Sequence, residues 1–145
     1  MKNILFLLFS FAVAQHARAQ PAGLGPALTQ AAAEHKQVLL RFSGSDWCIP
    51  CIRMEKEVFH DSVFLRFAQA HLLLLNADFP RQKKHQLPPA QQAANDALAE
   101  RYNAAGAFPL LVLLDAGGHV LRRWEGAVAP ARLIAELDAL SPKAP

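Results

Sequence analysis

The stretch Val38-Leu39-Leu40-Arg41-Phe42-Ser43-Gly44-Ser45-Asp46-Trp47-Cys48-Ile49-Pro50-Cys51 decides how the rest of this 145-residue chain is read. Its first five residues are short and mostly apolar, and Ser43-Gly44-Ser45-Asp46 is rich in turn formers, as expected of a buried strand that ends in a loop. Beyond Cys48 the spacing changes. Ile52, Met54, Val58 and Phe59 recur at helical intervals, and Pro50 suits the first helical turn, where a missing N–H costs nothing. The two cysteines therefore stand where a strand hands over to a helix, Cys48 at the N-terminal edge and Cys51 one turn inward.

That position suits a reactive thiol. Unpaired N–H groups and the positive end of the helix dipole favour thiolate over thiol, so Cys48 is expected to be the more exposed and more acidic sulfur, the one that attacks a disulfide. Cys51 can then attack the mixed disulfide and release the product. A structural staple explains the pair poorly. The chain has only these two cysteines, a bridge across so short a loop constrains the unfolded chain little, and secreted disulfide scaffolds spread their cysteines along the sequence. A zinc site needs about four ligands, and there is no second pair, while His35, His60, His71, His85 and His119 are dispersed. A soft thiolate pair would suit Cu(I), but Met54 is the one methionine outside the first few residues. A Cys-His hydrolase would leave the second cysteine unexplained. No metal and no other cofactor is expected.

Upstream, Met1-Lys2-Asn3 is a short basic start, residues 4–14 are apolar apart from Ser10, and Ala17-Arg18-Ala19 has the small-x-small form of a cleavage site. Residues 1–19 thus read as an export signal, cut between Ala19 and Gln20. The apolar run stops at Gln15-His16, well short of the roughly 20 residues a spanning helix needs. Loss of Lys2 and Arg18 takes the chain from a formal charge of +3 to near neutrality, which gives no reason to expect nucleic acid or lipid as a partner.

Residues 20–37 form an N-terminal helical segment, with the helix over 27–36, and residues 38–141 form the main domain. Within it, helical spacing returns over 62–71, either as a separate helix or as a continuation past a bend near His60-Asp61. Residues 72–75 are a second strand, 79–89 a loop, and 90–102 a helix. Arg81, Lys83, Lys84 and His85 on that loop read as solvated surface, the alternative being that they steer acidic substrates or a partner that recycles the cysteines. Strands over 110–114 and 119–124 flank Asp115-Ala116-Gly117-Gly118, a hairpin turn, and a helix over 131–140 closes the chain. A strand-helix-strand unit requires a parallel pair, whereas a hairpin adds antiparallel strands, so the fold is α/β, a single domain with a mixed sheet flanked by helices.

Ser45-Asp46-Trp47-Cys48-Ile49-Pro50-Cys51, with Ala107-Phe108-Pro109 much later, resembles the thioredoxin-like superfamily, and Gly44 to Cys48 is similar to a segment of its exported bacterial branch. The likeness covers residues 38–140. It implies the thioredoxin fold and an exported thiol-disulfide oxidoreductase, periplasmic or secreted, that exchanges disulfides with protein substrates through catalytic Cys48 and Cys51. It further implies that Pro109 is a cis-proline whose loop packs opposite the cysteines, that the Phe108 backbone pairs with bound substrate, and that Trp47 covers the rim. Ile49 and Pro50 replace the family's usual Gly-Pro and would tune the redox potential. The buried acid that such proteins carry on the strand before the cysteines is missing, since Arg41-Phe42 stands there; Asp46, Glu55 or a water would move the inner thiol's proton. Expected partners are protein disulfides or dithiols and a membrane or soluble thiol redox partner, the chain itself being a monomer. The competing readings are a thioredoxin-fold binding module without catalysis and a Cu(I)-handling protein using the same pair.

Overall fold

The computed structural model describes residues 23–142, so the expected signal at 1–19 lies outside the described residues. The elements run α1 (Leu24–Glu34), β1 (Gln37–Ser43), α2 (Ile49–Met54) opening into a π-helical turn (Glu55–Phe59), α3 (Ser62–His71), β2 (Leu72–Asp78), α4 (Pro89–Tyr102), β3 (Leu110–Leu114), β4 (Val120–Glu125) and α5 (Pro130–Leu140). The sheet order is β2-β1-β3-β4, with β1 and β2 parallel and the β1-β3 and β3-β4 pairs antiparallel. The mixed sheet flanked by helices is the one the element order required.

Alternation along the strands divides the core in two. Val38, Leu40 and Phe42 of β1 and Leu110, Val112 and Leu114 of β3 point to the side of α1 and α4, against Ala27, Ala31, Leu98 and Tyr102. Leu39, Leu111 and Leu113 point to the other side, against Met54, Val58, Phe64, Leu133 and Leu137 of the remaining helices. Ala27 and Ala31 are wholly buried, so α1 is packed into the same core as β1. It begins three residues earlier than the alanine spacing suggests and ends at His35 in the left-handed conformation (φ 54°).

The helical region after the cysteines contains two helices with a break between them. Asp61 caps α3, its carboxylate accepting the Val63 and Phe64 amides at 2.9 Å each, which gives the new helix its own start. β2 runs on to Asp78, beyond the apolar residues, because Asn76 and Asp78 continue the parallel register opposite Arg41 and Ser43. Among the described residues no helix is long and apolar enough to cross a membrane.

Candidate active site

The turn that delivers the cysteines is closed by backbone bonds from Trp47 and Cys48 N–H to the Gly44 carbonyl (3.3 and 2.9 Å). Cys48 caps α2. Its carbonyl accepts Ile52 N–H at 3.0 Å, and its Sγ accepts the Cys51 amide at 3.3 Å. A disulfide joins Cys48 to Cys51, their Cα atoms 5.2 Å apart. The expectation that Cys48 is the more exposed sulfur does not hold in this oxidised state: the two residues are 4% and 6% exposed. What faces solvent is the dipeptide between them, Ile49 at 64% and Pro50 also exposed. The helix start, rather than exposure, distinguishes the cysteines, because among the described residues Cys48 alone of the two receives an amide proton at its sulfur.

Trp47, Phe79 and Phe108 form one aromatic cluster. Trp47 and Phe79 each meet the Phe108 ring edge-on, with centroids 5.4 and 5.6 Å apart. The half-buried Trp47 donates its indole N–H to the Phe79 carbonyl at 2.7 Å. Gly44 is needed beneath it, since a Cβ there would overlap the indole. The Phe108–Pro109 peptide is cis. Pro109 is buried at the start of β3, and its carbonyl accepts Gly126 N–H at 2.9 Å. Antiparallel pairing of Leu110 with Phe42 puts this segment at the end of the sheet where β1 releases the cysteine loop. Among the described residues the Phe108 N–H and C=O make no backbone hydrogen bond.

Asp46, one of the three candidates for moving the inner thiol's proton, bonds to the 81–85 loop. Its side chain is only 4% exposed, because the 81–85 loop folds over it. One carboxylate oxygen accepts Arg81 N–H and the other Gln82 N–H, at 2.9 Å each, with the His85 ring 3.0 Å away. These groups hold the carboxylate below the usual aspartate range, the Arg81 amide foremost, against the opposing effect of desolvation. Arg81, Lys83, Lys84 and His85 are exposed, as expected, and the Arg81 guanidinium lies 3.7 Å over the Trp47 ring. Asp78 does the same work on the other side of the turn, accepting Ser45 N–H at 2.9 Å and the Ser45 and Ser43 hydroxyls at 2.6 and 3.0 Å.

The second face of β1 carries a feature that the sequence reading left as a mere absence. Arg41 follows Leu39 on the face beneath α2, pairs with Glu55, donates to Asn76 at 3.0 Å, and lies 4.3 Å over the Phe59 ring. It thereby grips both ends of the π-helical turn. Glu55, with His60 at 3.5 Å, stands four residues after Cys51. Cys51, Arg41, Glu55, His60 and Asn76 line one cavity of about 360 Å³. An acid supplied by the helix rather than by the strand thus lines the same cavity as Cys51. A charged residue in a central strand, on the alternation facing α2, was the available signal, and the spacing from Cys51 to Glu55 was its complement.

The profile of the thioredoxin-like domain family matches residues 24–141. A disulfide bond reductase of Chlamydia pneumoniae, DsbH, is 43% identical over 97 residues, which cover 67% of this chain and 57% of that protein. The match therefore spans little more than half of the relative's length. Among solved structures, a DsbH oxidoreductase is similar with a TM-score of 0.70 and 32% identity, over 81% of this chain and 80% of that one. A thioredoxin from Thermus thermophilus is similar with a TM-score of 0.60 over 81% and 83% of the two chains; at 22% identity that likeness is one of fold.

Proposed function

The chain belongs to the thioredoxin-like domain family, and we propose that it is an exported thiol-disulfide oxidoreductase acting on protein disulfides by dithiol-disulfide exchange. The observation that carries this reading is the Cys48–Cys51 bridge at the start of α2, with the Cys51 amide donating to Cys48 Sγ. A donor aimed at that sulfur favours the anion once the bridge is reduced. The reductive direction is taken from the relative named as a disulfide bond reductase.

The cycle balances without a cofactor. Cys48 thiolate attacks one sulfur of the substrate disulfide, forming a mixed disulfide and expelling one substrate thiolate. Cys51, giving up its proton, attacks Cys48 Sγ, expels the second substrate thiolate and closes the bridge. The substrate has gained two electrons and the cysteine pair has lost them. Glu55 takes the Cys51 proton through the shared cavity, and Arg41 positions that carboxylate. The unpaired Phe108 backbone offers an edge to an extended substrate segment, Trp47 walls the site, and the exposed Ile49-Pro50 tip meets the substrate first. An extracytoplasmic location fits the signal-like residues 1–19. In an oxidising compartment, a membrane or soluble thiol partner must return electrons to the pair.

Reduction of a protein disulfide such as insulin tests the reading, together with two variants. Cys48→Ser should lose turnover, and Cys51→Ser should accumulate substrate as a covalent mixed disulfide at Cys48. Full turnover by Cys51→Ser, or no reduction by the wild-type protein, overturns it.

A further inference from the structure

Beside the aromatic cluster lies a second, half-open cavity of about 380 Å³, walled by Trp47, Phe79, Phe108 and Gln92 and bordered by Arg81. Among its lining residues Arg81 alone is charged. Its exposed guanidinium is held on one face, and its backbone is tied separately. The face lies on Trp47 at 3.7 Å, and the Arg81 backbone is anchored through its N–H to Asp46 at 2.9 Å. A flexible side chain held this way has already lost much of the freedom that binding would otherwise cost.

Arg81 has no ion-pair partner among the described residues, and neither have Lys83 and Lys84 on the same loop. Asp78, the nearest acid in the sequence, is already bonded to Ser43 and Ser45, and Asp46 is occupied by two loop amides and His85. The result is a pre-placed cation beside an apolar wall, at the residue adjoining Cys48, facing outward with its charge uncompensated. A guanidinium fork of this kind matches a carboxylate in both shape and charge.

We infer that this cavity is a specificity subsite for an acidic side chain on the substrate polypeptide, a glutamate or aspartate flanking the disulfide to be reduced, with Arg81 as the residue that reads it. The inference rests on the proposed function for its substrate class, yet the two fail separately. The aromatic walls take the aliphatic stem of the acidic residue, and Lys83 and Lys84 add attraction at longer range, which salt would screen.

Three synthetic peptides test it, identical except for glutamate, glutamine or lysine beside a disulfide, with dithiol-free analogues (serine for cysteine) for binding by fluorescence anisotropy. Wild-type protein should bind the glutamate analogue about threefold to fivefold more tightly than the glutamine one, the scale of an exposed ion pair, and kcat/KM should follow the same ratio. The ratio should fall towards one in Arg81→Gln and below one in Arg81→Glu, and should shrink with added salt. Arg132→Glu on α5, packed against the opposite face of the sheet, changes net charge equally and should keep the wild-type ratio. Equal binding of glutamate and glutamine analogues by the wild type, or a preference that survives Arg81→Glu, overturns the subsite. Failure to reduce even the glutamine peptide overturns the oxidoreductase reading instead, and the binding ratio still decides the subsite.

Discussion

The indole N–H of Trp47 donates to the Phe79 carbonyl at 2.7 Å, linking the residue before the first cysteine to the residue that follows β2. With Asp78 bonded to Ser45 on one side of the turn and Asp46 bonded to the 81–85 loop on the other, the cysteine loop is held by the end of β2 rather than by its own strand alone. The positions of the groups around the disulfide therefore depend on contacts between segments more than 30 residues apart in sequence.

Gly44 is the first point at which this can be tested. A methyl group there meets indole carbons that are themselves pinned by the bond to Phe79. Gly44→Ala should cost about 1–3 kcal/mol, the usual scale of overpacking, measured by denaturant unfolding of the oxidised protein. It should also shift the Trp47 fluorescence. An unchanged midpoint would mean that the indole yields freely.

Asp46 makes a pH-dependent prediction. Its carboxyl is held below the usual aspartate range, chiefly by the Arg81 amide. A group depressed in the folded state adds stability that is complete above the ordinary aspartate range and is lost as pH falls through the depressed value. Hydrogen exchange of the 79–86 segment should therefore accelerate relative to the core only in strong acid. Asp46→Asn should show faster exchange already at neutral pH, and several-fold faster tryptic cleavage after Arg81, Lys83 and Lys84.

Glu136 on α5 offers a second case, remote from the cysteines. Its carboxylate accepts from Arg132 at 2.7 Å, from the Trp124 indole at 2.8 Å and from Arg122 at 3.0 Å, and these bonds, Arg132 first, hold it below the usual glutamate range. By the same sign, its contribution is present from neutral pH down to that range and disappears below it. Melting curves of Glu136→Gln and wild type should differ at pH 7 and converge in acid. A constant gap between them would contradict the assignment.

Glu55 bears on the chemistry. If it accepts the Cys51 proton, Glu55→Gln should slow release of the second substrate thiol by about a hundredfold, the lower end of the range for a positioned proton acceptor, while formation of the mixed disulfide stays fast. The defect should shrink in alkaline buffer, where Cys51 ionises without help. Arg41→Gln should give a smaller defect of the same kind, because it only positions the carboxylate. Single-turnover kinetics across pH separate the two steps, and unaltered release in Glu55→Gln would remove Glu55 from the proton path.

Much of this was legible in the chain itself. The β1-to-α2 junction followed from five apolar residues, a run of turn formers and a change from strand to helical spacing. The β3-β4 hairpin followed from Asp115-Ala116-Gly117-Gly118, whose Gly118 takes a positive φ of 81°. The π-helical turn over Glu55–Phe59 was not legible, since its residues also suit an ordinary helix and Arg41, gripping Glu55 and Phe59, comes from another element.

By itself, then, the sequence determined that the sheet is mixed and flanked by helices, that a helix begins at the cysteines, and that Cys48 and Cys51 are the candidate reactive pair. These depend on backbone preferences and on side-chain periods that are set within a few neighbouring residues. Only the tertiary structure decided that the Asp46 carboxylate bonds to the 81–85 loop, that Arg81 lies on Trp47, and that Glu55 shares a cavity with Cys51. Each of those depends on charged or polar groups that could satisfy themselves equally well in water. Which partner they take is set by where packing of the core leaves them, and that is a property of the assembled fold.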